Sequence, residues 1–411
     1  MVDGTHGSSI QRNNCLSSEH CLSRNLSVEK LFVLVAIFLS FSPFFSPIPL
    51  HTDVQPAFLV PLLFLFFTKK MQAFNSYELT FALLALFSVF YVDVSDPYFS
   101  FRKSSGLLIA FLAYHFFRIY SYHLTSRILF IIVLFNFLAV LFHYLMPNLF
   151  AATLGQFVRT IKILSMDGAR GASGFAAEPG FSGAMSVFYL AVAVFLKEFR
   201  SDSRYYKAIV VLCIIMLALS KSGTGGLLLI LFVGVMYFRF HLRHIFGGVF
   251  LVAILYFLVA NFDFGRAGFA IRMLFENPHY LFLVDASVGQ RVINVLVGFI
   301  SLYEFPFGAG AGSYERVASF IIEKYGLSHV VEGKSGNVSA FAKYSVELGI
   351  FFWTFMAMMV FKAVANSGSR ALKYIFVALF YLSASFSIIF PPVWFLFAIL
   401  HQRKRRVPLI R

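Results

Sequence analysis

Charge is scarce in this chain. Asp, Glu, Lys and Arg together make up 13% of its 411 residues, whereas 59% are hydrophobic, more apolar material than one or two water-soluble cores would bury. Acid is scarcer than base, with 19 Asp and Glu against 34 Lys and Arg. Cysteine is almost absent: Cys15 and Cys21 flank His20 in CLSSEHC without the paired spacing of a zinc site, and Cys213 lies in an apolar run. That rules out a disulfide framework and leaves the first pair in a solvated tail. The apolar runs do not alternate with polar residues, which argues against a β-barrel and for helices. There is no internal repeat and no low-complexity linker. The first 30 residues are polar, so no cleavable leader is expected and the first span serves as an uncleaved anchor.

What is present is a series of apolar runs from Leu31 to His401. Hydrocarbon accepts only spans whose backbone bonds are satisfied internally, and each needs about 20 apolar residues. The runs predict spans at 31–50, 54–68, 78–93, 106–120, 128–146, 180–196, 206–220, 224–239, 245–261, 338–361, 373–387 and 388–401. The fold class expected is therefore an all-α polytopic membrane protein of about 12 transmembrane helices. Residues 1–30 form a cytoplasmic tail, 31–401 the membrane domain and 402–411 a basic cytoplasmic tail. The run 291–303 is too short to cross comfortably and reads as an interfacial or re-entrant helix.

A net charge of +15 raises nucleic acid as a partner, but orientation accounts for it better. With the N-terminus inside, 21 of the Lys and Arg residues fall in inner segments and 13 outside. Both termini are then cytoplasmic, and the two long polar stretches, 147–179 and 262–337, are outer loops. Short interfacial helices are expected within the larger one. Arginine is disfavoured in outer loops, so its presence there asks for an anionic ligand. A lipid-borne phosphate or pyrophosphate fits, because guanidinium grips phosphate with a planar fork and glycine-rich backbone approaches closely with its N–H groups.

Four stretches carry the candidates. In RGASGFAAEPGFSG, Arg170 precedes a glycine-rich turn, and Glu178 with Pro179 opens a span. Two readings of Glu178 stand, a reactive carboxylate or an acid that favours a helix N-terminus. In LSKSGTGG, Lys221 lies between two spans. Arg291 opens RVINVLVGFISLYEFPFGAGAGSYE, whose glycines at 308, 310 and 312 break the spacing of a dinucleotide fingerprint and shape a turn instead. His329 precedes GNVSAFAKYSVELGIFFW, and its titration range suits a general base, although a lone loop histidine is more often solvated than catalytic.

In their order and spacing these four stretches resemble the O-antigen polymerase and ligase superfamily, polytopic bacterial inner-membrane glycosyltransferases that act on undecaprenyl-pyrophosphate-linked sugars. The resemblance covers the fifth to tenth spans. The chain departs from that pattern at Lys221, where arginine is usual in the family, and at Gly336 beside Asn337, where ligases place histidine. The resemblance implies polymerisation of lipid-linked repeat units of an O-antigen, capsule or exopolysaccharide at the outer face of the bacterial inner membrane. Its alternatives are a ligase transferring glycan to lipid A-core and a flippase for the same lipid. Glycan transfer builds negative charge on the departing pyrophosphate, which a cation must meet. Arg170 and Arg291 are the expected pyrophosphate ligands, with Arg266, Arg272 and Lys221 in support; Glu178 or His329 is the expected base. The outer loops hold no Asp-x-Asp, so neither metal nor cofactor is expected, Asp53, Asp93 and Asp96 being the remaining carboxylates for a metal. Expected partners are the lipid-linked oligosaccharide, membrane lipids and a chain-length regulator protein, with no nucleic acid.

Overall fold

The computed structural model describes residues 28–48, 54–68, 74–91, 97–158, 171–237, 272–273, 276, 286–327, 339–368, 370–383 and 386–402. Among them every regular element is helical, with no strand. In chain order the helices are α1 (28–41), α2 (Leu59–Thr68), α3 (Ser76–Phe90), α4 (Pro97–Tyr120), α5 (Ser126–Leu145), α6 (Pro147–Thr153), α7 (Pro179–Arg200), α8 (Tyr206–Ser220) and α9 (Gly223–Tyr237). After these come α10 (Ala286–Glu304), α11 (Tyr314–Lys324), α12 (Ala340–Leu348), α13 (Ile350–Ser367), α14 (Arg370–Ser383) and α15 (Pro391–Leu400). Three of them, α5, α7 and α13, are long and apolar enough to cross a membrane.

Helix starts follow local chemistry. Asn75 and Glu78 form a reciprocal capping box at α3, Thr125 caps α5, and Ser339 caps α12. Proline occupies the first turn of α6, α7 and α15, where its missing N–H costs nothing.

The centre of the bundle is α7, in which every residue from Phe181 to Leu196 is buried. It packs on α8 and α9. Tyrosines anchor it further: Tyr189 donates to the Phe41 carbonyl at 2.5 Å, Tyr381 donates to the Ala184 carbonyl at 2.5 Å, and Tyr374 donates to Glu198 at 2.8 Å. Buried phenols need such acceptors. By contrast α5 and α13 turn Ile131, Leu138, Phe351 and Phe361 outward. Apolar side chains both inside and outside a helical bundle are what a hydrocarbon solvent permits.

Several expected boundaries shift. The helix expected from 106 starts at Pro97, and the single span expected over 338–361 is two helices, broken at Gly349 (φ 53°). The run at 291–303 lies within the longer α10. The stretch 245–261 lies outside the described residues.

One end of the bundle gathers the start of α3 and the ends of α4, α7, α13 and α15. Arg200 donates to the carbonyls of Ser121 and Leu124, Asn366 donates to the His401 carbonyl, and Lys362 sits 3.3 Å above the Tyr77 ring. Here the fully buried Glu78 carboxylate meets His115 Nδ1 at 2.6 Å and the Arg118 Nε. The start of α7 lies at the opposite end, and the four sequence stretches lie there.

Candidate functional site

The RGASGFAAEPGFSG and LSKSGTGG stretches form one surface. Gly171 lies so close to Ser220 that a side chain would overlap the Ser220 carbonyl, and Ala172 donates its N–H to the Leu219 carbonyl at 3.0 Å. Gly183 comes next: a methyl group there would sit 2.5 Å from Ser222 Cβ and 3.0 Å from Ser220 Oγ. Gly225 presses on Gly183 in turn, and a methyl group at Gly180 would sit 3.8 Å from Thr224 Oγ1. Small residues thus let the first turns of α7 and the α8–α9 turn touch backbone to backbone.

Lys221 lies within that turn. It caps α8 in the left-handed conformation (φ 45°, ψ 37°), a place normally given to glycine, and its side chain is exposed. Holding a lysine there costs roughly 1 kcal/mol. Arg170 lies outside the described residues, yet its neighbour Gly171 rests on Ser220, the neighbour of Lys221. Glu178 is exposed and extended (φ −143°, ψ 151°); its carbonyl accepts from Phe181 N–H at 3.1 Å, and its side chain makes no capping bond. The carboxylate therefore makes no hydrogen bond to the helix terminus it precedes.

The third and fourth stretches form a second surface. Gly308, Gly310 and Gly312 have φ of 84°, 89° and 89°, and Gly308 abuts the Glu347 carbonyl. Every N–H from 308 to 313 is committed: in order they donate to the carbonyls of Phe305, Val346, Glu347 and Tyr91, to Glu347 Oε1 at 3.0 Å, and to the Gly310 carbonyl. The Tyr91 hydroxyl closes the loop on the Gly308 carbonyl at 2.9 Å. A glycine-rich backbone offering its N–H groups to phosphate is thus not what this loop provides. Its glycines pack it against α12. In the first stretch the N–H groups of Ala172, Ser173 and Gly174 are likewise taken, by Leu219 and by His143. These three N–H groups are therefore not open to an anion.

Around this loop, Tyr314 donates to the buried Asn294 at 2.8 Å, and burial pushes its phenol up. Lys324 and Tyr325 hydrogen-bond Glu304 at 2.7 and 2.6 Å and hold that half-buried carboxyl below its usual range.

The two surfaces meet at Phe386, between α14 and α15. Its carbonyl accepts from Ala340 N–H at 3.3 Å, and its ring packs 5.3 Å from that of Phe181. Gly298 of α10 packs on Ala342, and Ala309 bonds to Val346, so α10 and α12 run in the same direction. Arg291, seven residues before Gly298, therefore lies about 10 Å along α10 towards the start of α12 and the junction at Phe386. Arg272 is helical and exposed. Arg266 and His329 lie outside the described residues, as do Asp53, Asp93 and Asp96.

Two side chains not singled out from sequence also bear on the site: Glu347, fully buried beneath the glycine loop with Lys343 3.9 Å away, and His143, beneath residues 173–174. An ionisable residue inside an apolar run was the signal available for both. No protein-family profile matches the chain, and no curated protein does.

Proposed function

We propose that the protein polymerises polyprenyl-pyrophosphate-linked oligosaccharides, joining repeat units at the outer face of the bacterial inner membrane. On this reading the chain crosses about twelve times with both termini cytoplasmic, and the end bearing Glu178 and Lys221 faces outward. The observation that carries the proposal is the seat of Gly171 on Ser220, which packs the stretch that follows Arg170 in sequence onto the turn holding the exposed Lys221. Two cations beside a membrane-embedded helix start suit a pyrophosphate whose prenyl chain lies in lipid. They meet the charge that grows on the leaving oxygen as the glycosidic bond to it breaks. Arg291 on α10 approaches from the other surface. Glu178, free of any cap role, or His329 takes the acceptor hydroxyl proton as that oxygen attacks the anomeric carbon. Cationic side chains serve in place of a metal on this reading, and activity is expected to survive chelation.

Lys221 separates fold from function in a direct test. Lys221→Gly relieves the left-handed backbone and is expected to stabilise the protein by about 1 kcal/mol while abolishing the ladder of long glycan chains in a complementation assay. Lys221→Arg should retain the ladder, and Arg170→Ala should lose it at normal protein abundance. Full ladders from both Lys221→Gly and Arg170→Ala would remove the proposed site. A deletion strain is expected to keep single repeat units on its surface and lose longer chains. Long polymer stranded on the lipid carrier would identify a ligase instead, and unpolymerised units trapped on the inner face a flippase.

A further inference from the structure

We infer that His143 is a positioning residue: its Nδ1 lone pair fixes the backbone of Ser173 and Gly174 and thereby sets how Gly171 and Ala172 seat on the turn that holds Lys221. The inference rests on the proposed pyrophosphate site for its functional consequence and on geometry alone for its structural one.

His143 lies in the last turn of α5 and is buried. Its ring lies flat against Phe150 of α6, with centroids 4.8 Å apart and planes 4° apart, so its orientation is fixed from one side. Nδ1 faces three donors: Ser173 N–H at 3.3 Å, Gly174 N–H at 3.2 Å and Ser173 Oγ at 3.4 Å. A nitrogen that accepts from backbone N–H groups carries no proton, so the ring proton is on Nε2. Nε2 itself is buried with no hydrogen-bond partner among the described residues. The bonds at Nδ1 are therefore the ones this imidazole is seen to supply.

Those bonds hold a segment clamped on its other side. Gly174 takes a left-handed conformation (φ 58°) and lies so near α5 that a methyl group would come 2.8 Å from Val140 Cγ2. Two residues earlier, Ala172 is bonded to Leu219 at the end of α8, and Gly171 rests on Ser220. The segment thus bridges α5 and the α8–α9 turn with His143 as its acceptor on the α5 side. Without that acceptor two buried N–H groups lose their partner, and the seat of Ala172 and Gly171 on the end of α8 loses its support from α5.

The test compares His143→Asn, whose amide oxygen falls where Nδ1 stands, with His143→Gln and His143→Leu, which place no acceptor there. Phe150→Leu controls for loss of the ring stack. Displacement of a reacting group by about 1 Å costs up to about a hundredfold, so long-chain glycan should fall by that order in the Gln and Leu variants and be largely restored in His143→Asn and in Phe150→Leu. In parallel, Ser173→Cys in a background with Cys15 and Cys21 replaced by serine is labelled with a maleimide in opened membranes. The thiol should be protected when His143 is intact and in the His143→Asn variant, and should react in the His143→Gln and His143→Leu variants. Equal ladders and equal protection in the Leu variant and the parent would overturn the inference, as would Asn and Leu variants defective alike at normal abundance. Should Arg170→Ala leave the ladder intact while labelling still follows the Asn against Leu pattern, the positioning role stands and the enzymatic reading falls.

Discussion

Glu78 is a carboxylate out of water, and its neighbours account for all that it needs. Oε2 accepts the Asn75 N–H at 2.9 Å, and Oε1 meets His115 and Arg118. The first bond belongs to the capping box of α3, so the acid both starts a helix and ties α3 to α4. Removing one member of a buried ion pair strands the other, at about 3–5 kcal/mol. Glu78→Ala is therefore expected to lower the melting temperature in detergent sharply, whereas replacing Glu78 and Arg118 together by leucine should cost less than Glu78→Ala alone. A milder effect of the single change than of the double would contradict the pairing. This residue was hidden from a reading by hydropathy, because a lone acid at the start of an apolar run reads as a solvated cap until a partner on another helix encloses it. His143 and Glu347 stood inside apolar runs, where an ionisable residue is itself a signal, but the backbone N–H groups they accept from come from distant turns that only packing brings near.

Among elements, the glycines decide which helices touch. A methyl at Gly183 would meet Ser222 and Ser220, whereas one at Gly226 would meet nothing within 4 Å. Gly183→Ala should therefore destabilise by about 1–3 kcal/mol through overpacking and disturb the site. Gly226→Ala, in the interior of α9, should be neutral or stabilising by up to about 1 kcal/mol. Thermal melts of the two purified variants check the contrast; equal effects would mean that the close contact of α7 with the α8–α9 turn does not exist in solution. Which elements exist was largely readable, since α5, α7 and α8 fall within a few residues of the expected spans. Where they begin and break was less so. The segment SFRKSSG at 100–106 is polar, and hydropathy left it out of the span, yet helical hydrogen bonding is indifferent to polarity and α4 runs through it. Gly349 lay within a run read as one span; its positive φ answers to Pro306, whose carbonyl accepts the Ile350 N–H at 2.8 Å, a contact made by a distant turn. The pairing of the sequence stretches was legible only as a suspicion of shared purpose, because their meeting is made by tertiary packing around α7 and Phe386.

For the whole molecule the proposed orientation makes a claim about two faces. Gln156 and Glu323 are exposed at one, and Arg204 is exposed in the turn between α7 and α8 at the other. Cysteines at Gln156 and Glu323 should react with an impermeant thiol reagent in intact spheroplasts, and one at Arg204 only after lysis; the reverse pattern would invert the chain. Ser173 and Ser313, though in the same polar stretches, are buried and would report packing in place of sidedness. The enclosure of α7 has a bearing on how such a protein is made. Its Ala184 carbonyl is reached by Tyr381 and its Glu198 by Tyr374, both from a helix synthesised far later in the chain. Until α14 is made, α7 is held by its earlier neighbours α8 and α9 and lacks both tyrosine tethers. The scaffold of the site is therefore unfinished through most of translation, and a ribosome that stops short of α14 leaves every one of the sequence motifs on a protein whose central helix lacks its last two tethers.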